Sequence, residues 1–260
     1  MKNTYEAFKK NILDFTGINL SCYKEEQMKR RISTLISRKG LAGYEEYFQH
    51  IKQNTEEYDE FLSYMTINVS EFYRNPEQWD VLERDILPEL ISSHNGNINV
   101  WSAACSTGDE PYSLVMLLAK FIPMNRINIL ATDIDSKIIE KAKSGIYTAN
   151  SLKSLPTEFK SKYFEMIGND TYKISESVKS CVTFRQHDLI KDEYPQNIDL
   201  IVCRNVLIYF TEQAKNEVYN KFYNAMSDNS TLFIGSTEQV IRYRDIGFDI
   251  YKSFFYKKKK

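Results

Sequence analysis

From Asn97 onward the apolar residues of this chain stop recurring at every third or fourth position and gather into short unbroken runs. INVWSAA, INILATDID, VTFRQHD, DLIVCRN and TLFIGST read as strands, and the stretches PYSLVMLLAKF, SKIIEKAKSG and TEQAKNEVYNKFYNAM read as amphipathic helices. Strands apolar on both faces belong to a parallel sheet covered by helices on either side. No other feature of the sequence restricts the fold as strongly, and it predicts an α/β, doubly wound domain over residues 97–260. The punctuation agrees. Pro111 falls in the first turn of its helix, Asp135 precedes SKIIEKAKSG as an N-cap, and Gly145 ends it. Ala214, Val218, Phe222 and Ala225 share one face of the later helix.

The chain before that change is helical only. KEEQMKRRISTLISRKG carries Met28, Ile32, Leu35 and Ile36 at helical spacing and stops at Gly40, and GYEEYFQHIKQN and EEYDEFLSYMTI repeat the period. A small all-α domain is therefore expected over residues 1–67. Residues 68–96 form a linker, NVSEFYRNP, and one helix, EQWDVLERDILPELI. Residues 146–180 break the strand–helix alternation and are expected to form an inserted subdomain, part helical and part antiparallel, with a tight hairpin at Gly168-Asn169-Asp170. The Lys257–Lys260 run reads as a solvated tail.

Bulk composition excludes several functions. With 34 Lys and Arg against 35 Asp and Glu, the net charge is −1, so no whole-molecule attraction to nucleic acid is expected. No apolar run approaches a membrane span and MKNTYEAFKK lacks a signal-peptide core, which points to a cytoplasmic protein without membrane insertion. The four cysteines and three histidines are scattered without ligand spacing. Buried free thiols and no metal are expected.

In a doubly wound sheet the ligand lies beyond the carboxyl ends of the strands. There the sequence puts Asp109 and Glu110, then Asp133 and Asp135, then Asp188, then Arg204 and Asn205. The first turn, VWSAACSTGDEPY, has one glycine and two carboxylates where a phosphate-binding turn has glycines. A pyrophosphate would meet like charge there. S-adenosylmethionine carries no phosphate, and its sulfonium and ammonium suit an acidic rim, while Asp133 can accept from a ribose diol. For Asp109 and Glu110 taken singly, helix N-terminal electrostatics is an equal alternative.

NVSEFYRN, WSAACSTGDEPYS, ATDID and CRNVLIYF, in this order and across nearly the whole chain, resemble the CheR family of chemotaxis receptor methyltransferases. The resemblance implies a Rossmann-like class I S-adenosylmethionine-dependent domain and methyl transfer to glutamate side chains of chemoreceptors, with S-adenosylhomocysteine as product. It implies cofactor contacts at Asn68, Ser70, Arg74, Glu110, Asp133, Asp188, Leu189, Asn205 and Val206. Ser70 stands where the family often has Thr, and Asp188 where it often has Asn.

A glutamate carboxylate is ionised at neutral pH, so methylating it requires no general base. Arg74 is the expected anion-positioning residue, with a salt bridge between linker and domain as the alternative. Tyr209 is the second catalytic candidate and could equally pack beside the strand end. Lys24, Lys29, Arg30, Arg31 and Arg38, with Lys39, form a basic face on or beside the second helix. It is suited to a glutamate-rich receptor bundle or is only solvated. The protein is expected to act as a monomer on the cytoplasmic helical bundle of chemoreceptors, without binding a C-terminal receptor peptide. A cofactor-holding adaptor and a methyltransferase with another acceptor remain open.

Overall fold

The computed structural model describes residues 3–258. Four helices come first: α1 (Tyr5–Thr16), α2 (Glu25–Arg38), α3 (Tyr44–Gln53) and α4 (Thr55–Thr66). Thr4 and Asn54 cap α1 and α4 by accepting from backbone N–H groups, which suits their place ahead of each helical period. Phe8 and Ile12, the predicted Met28–Ile32–Leu35–Ile36 stripe, Tyr47 and Phe61 close on one another as a separate core.

The helix expected over EQWDVLERDILPELI consists of three pieces in line: α5 (Pro76–Val81), a π-helical turn (Leu82–Ile86) and α6 (Leu87–Ser93). Pro88 gives the reason. It has no N–H for the carbonyl four residues back, and its ring presses on that carbonyl, so the preceding turn widens.

Beyond it come β1 (Val100–Ala103), α7 (Asp109–Leu118), β2 (Ile129–Asp133) and α8 (Ser136–Ser144). The insert follows as β3 (Ile146–Thr148), α9 (Thr157–Tyr163), β4 (Phe164–Gly168), β5 (Thr171–Ile174) and α10 (Glu176–Lys179). Its three strands form an antiparallel sheet in the order β3-β5-β4, turning at Asn169-Asp170 with Asp170 left-handed at φ 54°. The chain continues as β6 (Val182–Gln186), β7 (Ile198–Cys203), α11 (Glu212–Ala225), β8 (Met226–Ile234), α12 (Tyr243–Ile246), β9 (Phe248–Lys252) and β10 (Phe255–Lys258). The main sheet has the order β6-β2-β1-β7-β8-β10-β9. β1 and β7 are buried at every position, as their unbroken apolar runs require.

That sheet is not parallel throughout. β6, β2, β1, β7 and β8 are, but β10 runs antiparallel to both β8 and β9. Two of the lysines expected in a solvated tail lie in β10. Lys257 pairs with Glu89, and the Lys258 ammonium donates to the Tyr223 and Met226 carbonyls (2.9 and 2.6 Å) at the end of α11. Exposed helix-end carbonyls are a natural seat for a cation. Lys259 and Lys260 lie outside the described residues.

The helical domain is joined to the sheet domain along two seams. In one, the Asp135 carboxylate accepts from Ser63 (2.7 Å) and Asn68 (3.1 Å) while capping α8, and Lys137 pairs with Asp59. In the other, Tyr23 bridges to Phe210, with N–H donation from Lys24 to the Tyr209 carbonyl and from Thr211 to the Cys22 carbonyl. The cleft lies between the seams.

Candidate active site

Asn68, Ser70, Arg74, Glu110, Asp133, Asp188, Leu189, Asn205, Val206 and Tyr209 all line one cavity. Its floor is the carboxyl edge of β1, β2, β6 and β7, and its opposite wall is the end of α4 with the NVSEFYR segment. Four of its lining residues have left-handed backbone although none is glycine: Ile67 (φ 48°), Ala104 (φ 64°), Ser106 (φ 49°) and Asn205 (φ 60°). Conformations this costly persist only where surrounding contacts hold them, and they concentrate at sites of function.

Asp133 shows how the turn is held. Its carboxylate accepts from the Ser106 N–H (2.8 Å) and the Asp135 N–H (3.1 Å), drawing the β1–α7 turn toward the end of β2. Burial still outweighs these bonds and pushes its pKa up to about 6. Glu110 accepts from Ser102 (2.8 Å) and faces Arg204 at 3.7 Å; burial raises its pKa as well.

Asp109 departs from expectation. It is fully buried, bonded by Thr107 and lying against Ser70, so the cavity rim at this turn carries Glu110 alone. The turn curls through left-handed Ser106 and Gly108, which rotates the first of two adjacent acids inward. Asp188 accepts from the Ile190 N–H (2.8 Å) within its own turn. Arg74 donates to the Val69 carbonyl (3.2 Å), with no ion pair to it among the described residues.

Arg204, expected at the sheet edge but given no role, and His187, not expected there, also line the cavity. Arg204 lies between Trp79 and Phe233 and donates to the Arg74 carbonyl (2.7 Å) and to Gln78 (2.8 Å), tying β7 to the linker. His187 donates from Nε2 to the Glu193 carbonyl (3.1 Å), since a carbonyl oxygen can only accept. Both residues were legible as polar strand-end positions, but neither forms a pattern without its distant partners. His187 Nδ1, Ser106 Oγ and Arg204 Nε are buried without a partner and belong to residues lining the cavity. Such orphans, with two carboxylates of raised pKa, fit a polar ligand bearing hydroxyls and positive charge.

On the basic face, Lys24, Lys29, Arg30 and Arg38 are exposed. Arg31 is not part of that face. It is half-buried, donates to the Tyr64 carbonyl and stacks on the Tyr64 ring at 4.6 Å, joining α2 to α4. Lys39 is engaged by Glu57 and Glu60, each at 2.7 Å. Among the described residues no group of His, Cys, Asp and Glu has a metal-holding arrangement, and no helix is long and apolar enough to cross a membrane.

Residues 3–66 match the family model described as "CheR methyltransferase, all-alpha domain", and residues 68–253 match "CheR methyltransferase, SAM binding domain". The chain is 41% identical to a chemotaxis protein methyltransferase of Listeria monocytogenes, over 98% of this chain and 97% of the relative. It is 35% identical to one from Borreliella burgdorferi, over 86% and 83%, and 31% identical to one from Escherichia coli, over 85% and 79%. Both segments of the chain and these relatives agree, and the protein belongs to the CheR methyltransferase family.

Proposed function

We propose that this chain transfers the methyl group of S-adenosylmethionine to glutamate side-chain carboxylates of chemoreceptors in the cytoplasm, forming methyl esters. The carrying observation is Arg74 at the cavity wall, engaged only by a backbone carbonyl and by no carboxylate among the described residues. A guanidinium so held can take an acceptor carboxylate through its fork. Exposed Val69 beside it provides an apolar lip.

When bound, S-adenosylmethionine supplies an electrophilic methyl group on a sulfonium sulfur and leaves as S-adenosylhomocysteine. Asp133 would accept from the ribose hydroxyls, and Glu110 would face the cationic end. Asn68, Ser70, Asp188, Leu189, Asn205 and Val206 would complete the hold. Arg74 orients the acceptor, and Tyr209 on the turn after β7 flanks it and limits water at the attacking oxygen. Since the acceptor arrives ionised, no residue takes a proton. In keeping with this, Asp133 and Asp188 serve backbone N–H groups, Glu110 accepts from Ser102 and faces Arg204, and His187 is bonded to a carbonyl.

The exposed Lys24, Lys29, Arg30 and Arg38 would meet an acidic receptor bundle. The insert is not read as a peptide clamp, and none of residues 146–180 lines the cavity. Its hairpin turn has no glycine-rich loop, and a bulge between Met166 and Gly168 interrupts the edge strand β4. The test is labelled methyl incorporation into receptor, followed by mild alkali. Release of the label supports glutamate esterification. Alkali-stable label favours a nitrogen acceptor, and cofactor binding without incorporation favours an adaptor.

A further inference from the structure

The geometry points to Glu238 as a positioning residue for methyl transfer: its buried carboxylate gathers four backbone N–H groups and so fixes the turn that carries Asn205, Val206 and Tyr209. This rests on the methyltransferase reading above. Glu238 follows β8 and is 8% exposed. Its Oε2 accepts from the N–H groups of Asn205 and Gly235, both at 2.8 Å. Its Oε1 accepts from those of Val206 (3.1 Å) and Leu207 (2.9 Å).

The turn leaves the middle of the sheet at Cys203 and reverses through left-handed Asn205, a conformation asparagine adopts more readily than other residues with a Cβ but that the surrounding contacts must still hold. Three successive N–H groups, one buried and two partly so, would then lack protein partners, and one carboxylate satisfies them all. Gly235 makes the approach possible. A Cβ there would lie 2.7 Å from Glu238 Oε2 and 2.8 Å from the Asn205 nitrogen. Glu238 does not itself line the cavity; it acts through the turn, which does.

Glu238→Gln keeps the shape but turns one acceptor into a donor facing two N–H donors. The control is Asp199→Asn at the opposite end of the same strands. Asp199 is likewise buried, accepts from the Asn99 N–H (2.8 Å) and pairs with His94 (3.0 Å). Melting temperature, S-adenosylmethionine affinity by calorimetry, kcat and KM, and amide hydrogen exchange are measured on both variants and on wild type. Both variants are expected to melt earlier. Only Glu238→Gln should weaken cofactor binding and lower kcat/KM, by roughly 10- to 100-fold, the scale of one or two buried hydrogen bonds lost. Only it should speed exchange at Val206 and Leu207.

Unchanged exchange at those amides overturns the assignment, as do equal losses of affinity in the two variants. The exchange readout needs no ligand. A wild type that protects those amides yet binds no S-adenosylmethionine therefore overturns the methyltransferase reading, and with it the catalytic part of this one. Should Glu238→Gln not fold, Gly235→Ala presses on the same two atoms and is expected to give the same selective loss.

Discussion

Asp133 carries two loads, holding the neighbouring turn through two N–H groups and, in the proposed reaction, receiving the ribose. Burial is the largest influence on it, with the like charge of Asp135 adding to the rise, and Glu110 is the other raised acid of the cavity. Its pKa of about 6 in the fold exceeds the value of about 3.9 for an unfolded chain. The folded protein thus holds this proton more tightly. Free of ligand, it gains stability from this group as pH falls from about 6 to about 4, and that gain is absent above about 6. Cofactor affinity should run the other way and weaken below about pH 6, since a neutral acid is a poorer acceptor for hydroxyls. Calorimetry at a series of pH values checks this, and Asp133→Ala should flatten the pH dependence to what Glu110 contributes while costing roughly 1–3 kcal/mol of binding. A folded Asp133→Ala protein with wild-type affinity would end the assignment. Asp133 was legible because a polar residue closing an apolar strand can only face the sheet edge. The inward turn of Asp109 was not, because it depends on the left-handed backbone at Ser106 and Gly108.

Among the elements, α2 best separates what periodicity reveals from what it hides. Its buried stripe follows directly from spacing, but the same spacing puts Arg31 with the exposed bases, and only the Tyr64 carbonyl of α4 draws it away. A test of receptor docking should therefore leave Arg31 intact, because reversing its charge would break the join between two helices. Reversing Lys29 and Arg30 together should raise the KM for receptor by roughly tenfold at low ionic strength and leave cofactor affinity unchanged. The defect should shrink as added salt weakens the wild-type encounter. Normal methylation by that double variant at low salt would return the face to plain solvation. Two other elements were hidden for different reasons. The π turn before Pro88 leaves the apolar pattern intact, so nothing in the pattern marks it. In β10 the lysine run masks the alternation, since only contacts with Glu89 and the end of α11 give Lys257 and Lys258 their separate seats.

For the whole molecule, the cleft is closed by two seams, and the insert stands outside both. With β4 interrupted by its bulge and the hairpin turn this short, the receptor should be recognised through the helical domain and the cleft alone. Deleting the receptor's C-terminal tail should leave the methylation rate nearly unchanged. A large fall in rate, or micromolar binding of the isolated tail peptide, would reverse that reading of the insert. The order of strands also has a consequence for synthesis. β10 lies between β8 and β9 yet is made after both, so a growing chain releases β9 before its neighbour in the sheet exists. Until then Phe233 lacks the ring of Phe255 that stacks on it at 4.2 Å, and β8 presents an open apolar edge. The cofactor half can therefore reach its finished form only once β10 has left the ribosome. A nascent chain halted before Phe255 should be the species that chaperones hold and proteases cut.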